Sequence, residues 1–281
     1  ITFKDALARY IESKSNVLSP STLRGYRQME KYYDPIKDMD VSEIDQNTVV
    51  GFINEFAGKH SPKTVRNAYS LLCAVIRLQI PDASFRVTMP QKEILQYYIP
   101  KDEELQSLLS YTKTANYDLY VAILLASIGT LRRSEVCGLY ADDIQGNTVH
   151  VHQTMVKNQN YKWVLKSVAK NSTSDRYVEY PDKVIKELPV SGKICNLNPD
   201  MITHDFGRTI KKLGLPHFRF HDLRHYAATI MHAMGVPEAY IMERGGWKTN
   251  TVLNQVYRGT RSDFSKKYSD QANGYFENHL L

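Results

Sequence analysis

The stretch that decides the fold runs Tyr117-Asp118-Leu119-Tyr120-Val121-Ala122-Ile123-Leu124-Leu125-Ala126-Ser127-Ile128-Gly129-Thr130-Leu131-Arg132-Arg133-Ser134-Glu135. From Tyr117 to Ile128 it is apolar on nearly every side of a helix. No face is left for solvent, so the segment reads as a buried central helix. Gly129 ends it, and Thr130 caps a following helix that carries Arg132 and Glu135. Three residues apart on a helix, those two side chains share a face. Taken alone, they are an ion pair on an amphipathic helix.

Downstream the period changes. Val149, Val151 and Met155 alternate with polar residues, Trp163 and Leu165 do the same, and Tyr177 and Val178 lie in a third short run. Turns at Asn158-Gln159-Asn160 and from Asn171 to Asp175 separate them, which predicts a three-stranded antiparallel sheet over residues 147–180. After Pro181 helical patterns return throughout. In His221-Asp222-Leu223-Arg224-His225-Tyr226, an apolar stripe of Leu223, Ala227, Ile230 and Met234 predicts a helix docked on a core. His221 and Arg224 then fall at i and i+3 and point the same way. Two donors on a rigid element suit an anionic transition state; a basic helix with a solvated face is the plainer reading. Gly245-Gly246-Trp247-Lys248-Thr249 follows, then Val252, Val256, Tyr257 and Arg258-Gly259. With 19 tyrosines in the chain, residue type alone singles out none of them.

Upstream, residues 1–80 read as four helices. Phe3, Leu7, Tyr10 and Ile11 repeat at helical spacing. Ser19-Pro20-Ser21-Thr22 opens a second helix with Leu23, Tyr26, Met29 and Tyr33 on one side. A third runs from Asp40 to Phe56, and Ser61-Pro62 starts a fourth facing Val65, Tyr69, Leu72 and Ile76 inward. No strand is needed there. Residues 81–96 lose the helical period, and three prolines between Pro81 and Pro100 suit a linker with a boundary near residue 95. Pro100-Lys101-Asp102-Glu103-Glu104 then opens the second domain as an acidic helix start.

The whole chain of 281 residues is long enough for two domains, and 42% hydrophobic residues support a sizeable core. The longest apolar run, Val121 to Ile128, falls far short of the roughly 20 residues that span a bilayer. No signal-peptide pattern is present, and the start at Ile1 leaves room for a preceding segment. Cys73, Cys137 and Cys195 are odd in number and lack a C-x-x-C spacing. That argues against a disulfide framework or a cysteine zinc site and makes a reducing cytoplasm the default. A net charge of +6 makes a polyanionic partner plausible. The charge is concentrated locally: five Lys/Arg against one acid from Lys157 to Arg176, and five Lys/Arg with four His from His204 to His225.

An Arg-x-x-Glu helix, a sheet with a lysine at a turn, His-x-x-Arg, Gly-Trp, and a tyrosine ten residues after the tryptophan occur here in that order. This succession resembles the tyrosine recombinase (phage integrase) family, over most of the chain. Residues 97–281 look like its catalytic domain, with a tail at 262–281. Residues 1–80 are similar to its helical core-binding domain, including an opening matched by Ser19, Thr22 and Tyr26. The implied fold is mainly α with a small three-stranded antiparallel sheet, built as a two-domain DNA clamp.

Roles follow from the resemblance residue by residue. Arg132 and Arg224 match the two arginines that grip the non-bridging oxygens of the scissile phosphate, a task that suits a permanently charged, forked guanidinium. His221 matches the family's general base. Trp247 occupies a slot held by His in many members; an indole donates one hydrogen bond but shuttles no proton. Lys170-Asn171-Ser172-Thr173-Ser174-Asp175-Arg176 resembles the family's Lys-Thr-x-x-Ser-x-Arg hairpin, making Lys170 the general acid, with Lys166 as fallback. Tyr257 matches the nucleophile, with Tyr268 its rival and Tyr275 also present. Two departures stand out: Gly259 replaces a frequent His, and Gly129-Thr130 reverses the usual Thr-Gly, with no chemical consequence expected.

The resemblance implies a site-specific recombinase that passes through a 3′-phosphotyrosine intermediate. It implies no cofactor, neither metal nor ATP, because the bond energy stays in the covalent link. The partners are double-stranded DNA sites, other copies of the chain in a tetrameric synapse held through the tail, and accessory bending or excision factors. Arg24, Lys63, Thr64 and Arg66 are candidate DNA contacts on the first domain. Gly-Gly-Trp-Lys-Thr points to the branch of phage and mobile-element integrases. Two other readings stay open: a DNA-binding regulator that kept the fold and lost catalysis, and a metal-dependent phosphohydrolase built on His204-Asp205 and His221-Asp222.

Overall fold

The computed structural model describes residues 1–91, 98–167 and 173–250. The chain divides into two compact units, Ile1–Leu95 with Lys157–Lys162, and Gln96–Val156 with Trp163–Leu281.

The first unit contains α1 (Phe3–Ser13), α2 (Pro20–Met29), α3 (Gln46–Ala57) and α4 (Pro62–Gln79). Thr2, Ser19, Asp45 and Ser61 each turn a side-chain oxygen onto a backbone N–H of the first turn. Pro20 and Pro62 stand at the first helical position, where no N–H is needed. The amphipathic faces meet in one core around Phe3, Leu23, Tyr33, Ile53 and Leu72. The helix expected from Asp40 starts later. Val41–Glu43 forms a 3-10 turn, and α3 begins at Gln46 because the Asp45 carboxylate accepts from Thr48 N at 2.8 Å.

Residues 81–91 hold neither helix nor strand. They are strapped to the bundle: Gln46 Nε2 donates to Arg86 O (2.7 Å), Gln46 Oε1 accepts from Arg86 N (3.0 Å), and Tyr69 Oη donates to Phe85 O (2.6 Å). Phe85, Val87 and Met89 pack against the core.

The second unit runs α5 (Asp102–Ala115), α6 (Tyr117–Gly129), α7 (Arg133–Val136), β1 (Ile144–Gln145), β2 (Thr148–Val151), β3 (Gln153–Lys157), β4 (Trp163–Ser167), β5 (Arg176–Glu179), α8 (Asp182–Ile185), α9 (Pro199–Lys212), α10 (Asp222–Ala233) and α11 (Glu238–Gly245). Helix α6 is buried on every side from Leu119 to Ser127, with α5, α9 and α10 packed around it. The central helix expected from the apolar run is therefore found.

The strands form two sheets rather than one. An antiparallel sheet has the order β1-β2-β5, with Val149 opposite Val178 and Val151 opposite Arg176; β3 and β4 pair separately. The expected run from Val149 to Met155 breaks at His152, which leaves the ladder and bonds Asp143 at 2.8 Å. After Pro181 the chain is only partly helical, and Lys193 bridges to Tyr140 between α8 and α9. On α10 the apolar stripe stops short. Leu223 and Ala227 are buried, but Met234 is 70% exposed because it caps the helix beyond the core.

Candidate active site

The site starts where α6 ends. Gly129 is its last residue, and a Cβ there would lie 1.7 Å from Tyr180 Oη. Thr130 does not cap the next helix. It sits at φ +62°, the left-handed conformation that closes a helix C-terminus, and Arg132 takes the N-cap position of α7. The buried Thr130 hydroxyl donates to Arg244 O at 3.0 Å, and its carbonyl accepts from Arg224. The pair 129–130 thus carries structural duties that its sequence did not reveal.

Glu135, 1% exposed, is the hub. Its carboxylate accepts from Arg132 Nη1 at 2.5 Å, from Arg132 N at 2.8 Å and from Arg176 Nη2 at 3.0 Å, with Arg224 Nη1 at 3.9 Å. Burial alone would raise its pKa, but Arg176, Arg132 and Arg224 together hold it below the ordinary glutamate range. The Arg-x-x-Glu pair is therefore no surface ion pair. A single buried carboxylate collects three guanidiniums.

The same guanidiniums end on consecutive carbonyls at the C-terminus of α11. Arg176 Nε donates to Arg244 O (2.8 Å), Arg224 Nη2 to Gly245 O (2.8 Å) and Arg132 Nη2 to Gly246 O (3.1 Å). A helix C-terminus leaves its last carbonyls without partners and carries partial negative charge, so it is a natural seat for cations. Both glycines are required by their surroundings. A Cβ on Gly245 would meet the Trp247 ring at 2.0 Å, and Gly246 has φ +61° with Thr173 O at 2.6 Å from a Cβ.

Arg224 is 1% exposed, and its Nε is buried with no hydrogen-bond partner among the described residues. Burial, then Arg132, draws its pKa down to about 9, which leaves it charged at neutral pH. Its guanidinium carbon lies 4.7 Å from the centre of the Trp247 ring. Trp247 is itself buried with Ala228 and Ile241, so it walls the arginine in.

His221 caps α10 and stays exposed, with its ring 5.2 Å from that of His225. The crowding of protein around it, then the positive charge of Arg224, pulls its pKa down to about 4. The neighbouring cations alone favour a neutral imidazole at pH 7. Asp222 is buried and accepts from Arg219 N (2.7 Å) and Arg219 Nη2 (2.7 Å), fixing the start of α10.

Arg132, Glu135, His221, Arg224 and Trp247 thus converge from three segments: the start of α7, the start of α10 and the turn after α11. Tyr257, Lys170, the rivals Tyr268 and Tyr275, and the 262–281 tail lie outside the described residues. Lys166 is an exposed residue of β4. Of the candidate DNA contacts, Lys63 is exposed, Arg24 is half-buried on α2, and Arg66 donates to the carbonyls of Pro62 and Pro90. Thr64 lies on the wall of a groove of about 760 Å³ lined also by Lys4, Arg27, Lys31 and Asn67. The two His-Asp pairs do not meet. Asp205 is held by Arg208 and Asn116, Asp222 by Arg219, and no group of three metal-ligand residue types gathers among the described residues. Arg176 was missed as a functional residue. Its signal was the alternation on β5, where Arg176 and Val178 face inward and Tyr177 and Glu179 outward.

Similarity to known proteins agrees with this geometry. The chain is 30% identical over 80 residues to an integrase of Saccharopolyspora erythraea, a stretch covering 28% of this chain and only 18% of that relative's length. Its fold matches a Tn1549 transposon integrase in complex with a circular intermediate DNA, at a TM-score of 0.77 and 16% identity over 97% of this chain and 99% of that one. It also matches a lambda integrase from a tetramer bound to a Holliday junction, at a TM-score of 0.67 and 16% identity over 91% of this chain and 77% of that one. At such identities the likeness is one of fold. The family model for the phage integrase family matches residues 100–263, more than half of the chain and all of the described site, and the chain belongs to that family.

Proposed function

We propose that this chain is a site-specific DNA recombinase that cuts and rejoins strands through a 3′-phosphotyrosine intermediate at Tyr257. The observation that carries this reading is the convergence of Arg132 and Arg224 on Glu135 and on adjacent α11 carbonyls. Each guanidinium offers five N–H groups, and the bonds named above leave donors over. Two charged forks fixed side by side can bind the two non-bridging oxygens of a phosphodiester and strengthen as charge develops there.

The reaction balances without an outside reagent. His221, neutral at pH 7, accepts the phenolic proton of Tyr257. The phenolate oxygen bonds to phosphorus as the bond to the 5′-oxygen breaks, and Lys170 delivers a proton to that oxygen. The 5′-hydroxyl of a partner duplex reverses the step. Trp247 holds Arg224 in place and can donate its indole N–H to the phosphate, but takes no part in proton transfer. Phosphate contacts by the basic segments would supply most of the DNA affinity. A tetrameric synapse with the 262–281 tail docked on a neighbouring copy completes the proposal, on double-stranded DNA sites of a phage or mobile element.

A nicked duplex that loses its 5′-hydroxyl fragment traps the intermediate. The native chain is expected to give a protein–DNA adduct and Tyr257→Phe none. An adduct persisting in that variant, or mapping to Tyr268, would overturn the assignment.

A further inference from the structure

Thr130 holds a backbone conformation that favours glycine. Its φ is +62°, and among the described residues only Tyr161 otherwise has a positive φ without being glycine. A residue branched at Cβ is an outlier there, of a kind that clusters at functional sites. The helix end accounts for the backbone: Thr130 N bonds Ala126 O (3.1 Å) and Leu131 N bonds Leu125 O (3.4 Å), closing α6. It does not account for the side chain, since α11 ends on the same left-handed turn with Gly246.

The side chain reaches across to α11. The buried Thr130 hydroxyl donates to Arg244 O at 3.0 Å. Its proton can also reach Gly129 O at 2.5 Å, but that carbonyl lies in the adjacent peptide and ties nothing to α11. In the other direction the Arg244 guanidinium donates to Ile128 O, through Nε at 3.3 Å and Nη2 at 3.2 Å. The ends of α6 and α11 are thus clasped from both sides. Arg224 spans the clasp, with Nη1 donating to Thr130 O on the α6 side and Nη2 to Gly245 O (2.8 Å) on the α11 side. A planar fork with one arm on each helix end takes its orientation from the spacing of those two carbonyls.

We infer that Thr130 is a positioning residue whose hydroxyl latches the end of α6 to the end of α11 and so sets the orientation of the Arg224 guanidinium. The inference rests on the reading of Arg224 as a phosphate-gripping group. It adds that the alignment of this group depends on one side-chain hydroxyl. Without the hydroxyl, the charge and burial of Arg224 remain, so phosphate is still attracted. What is lost is the fixed aim that lets the guanidinium bind developing charge more tightly than the resting phosphate.

Three substitutions at this position separate the hydroxyl from the backbone. Thr130→Val keeps the branched shape and removes the donor, while Arg244 O still accepts from Arg176 Nε at 2.8 Å. It is expected to bind DNA as the native chain does and to form adduct about 10-fold more slowly, as one misaligned hydrogen bond would allow. Thr130→Ser keeps the donor and should recover most of the native rate. Thr130→Gly takes the left-handed backbone without a Cβ, which secures a folded variant, and should be as slow as Thr130→Val. A role confined to backbone stability predicts the reverse order, with glycine the better residue. In an Arg224→Lys background, Thr130→Val should add little further slowing, because the group that it aligns is gone. A native rate in Thr130→Val, a Thr130→Ser variant as slow as Thr130→Val, or undiminished slowing in the Arg224→Lys background would overturn the inference. The reading of Arg224 fails separately, if Arg224→Lys alone cleaves at the native rate. The latch is then still read from nitrogen NMR of the Arg224 guanidinium. Its two Nη groups, held on different carbonyls, should give distinct signals in the native chain and averaged ones in Thr130→Val; identical spectra would sink the latch.

Discussion

At the residue scale, the site is an answer to how several guanidiniums can be packed together. Like charges repel, and Arg132 and Arg176 each push the pKa of Arg224 downward. Glu135 and the carbonyls at 130, 244, 245 and 246 offset that repulsion with charge and directed acceptors. On the proposed function, a cluster seated in this way before any phosphate arrives is what stabilising a transition state requires, rather than merely binding substrate. Arg224→Lys tests this directly. A lysine ammonium is a point charge and cannot meet Thr130 O and Gly245 O with a planar fork. We expect near-native DNA binding, with cleavage lower by roughly two orders of magnitude or more, the scale of a lost transition-state donor. Equal loss in binding and cleavage, measured by gel shift and adduct formation, would show that Arg224 acts on the ground state.

At the element scale, α11 matters for where it stops. Its C-terminus, not its length, seats the arginines, and the left-handed turn at Gly246 aims the last carbonyl at Arg132. Gly246→Ala should suffer twice: a left-handed conformation costs a residue with a Cβ about 1–2 kcal/mol, and the new atom meets Thr173 O at 2.6 Å. The expected outcome is a lower melting temperature together with slowed adduct formation. A variant that melts lower and cleaves at the native rate would mean that the α11 terminus can shift without disturbing Arg132. The short β5 strand shows the same principle. Its inward register brings a charged residue to the core beside Val178, and the strand serves to deliver it.

At the scale of the whole molecule, burial of histidine makes stability depend on pH. His225 is 4% exposed, and burial, against an opposing pull from Asp222, lowers its pKa from 6.5 to about 4. Between those two values the unfolded chain binds a proton that the folded chain does not. The stabilisation is therefore complete above 6.5 and lost as pH falls toward 4. His221 contributes in the same direction, less so because it is exposed. The melting temperature should fall across this window, and His225→Gln should flatten part of the fall. A native chain whose melting temperature is constant from pH 6.5 to 4 would contradict the neutral, buried state. Cleavage should hold its rate down to the same region, since His221 stays able to accept a proton until its own pKa is reached. None of the helices among the described residues is long and apolar enough to cross a membrane.

The sequence by itself determined the four N-terminal helices to within a few residues, the buried α6, and the order of Arg132, His221, Arg224 and Trp247 that marks the family. Those features are local: a period of 3.6 residues, a capping serine, or a short motif is written in neighbouring residues. It also placed strands over residues 147–180, but missed β1 at Ile144–Gln145 and the split into two sheets, because the break at His152 depends on its bond to Asp143. Only the tertiary structure decided that Arg176 belongs to the site, that Gly129 and Thr130 are constrained, and that the Gly-Gly pair before Trp247 offers its carbonyls to two arginines. These contacts join residues 21 to 114 positions apart. No spacing along the chain encodes which buried cation will find which carboxylate or carbonyl. That pairing is fixed when packing removes water and every buried donor must find an acceptor.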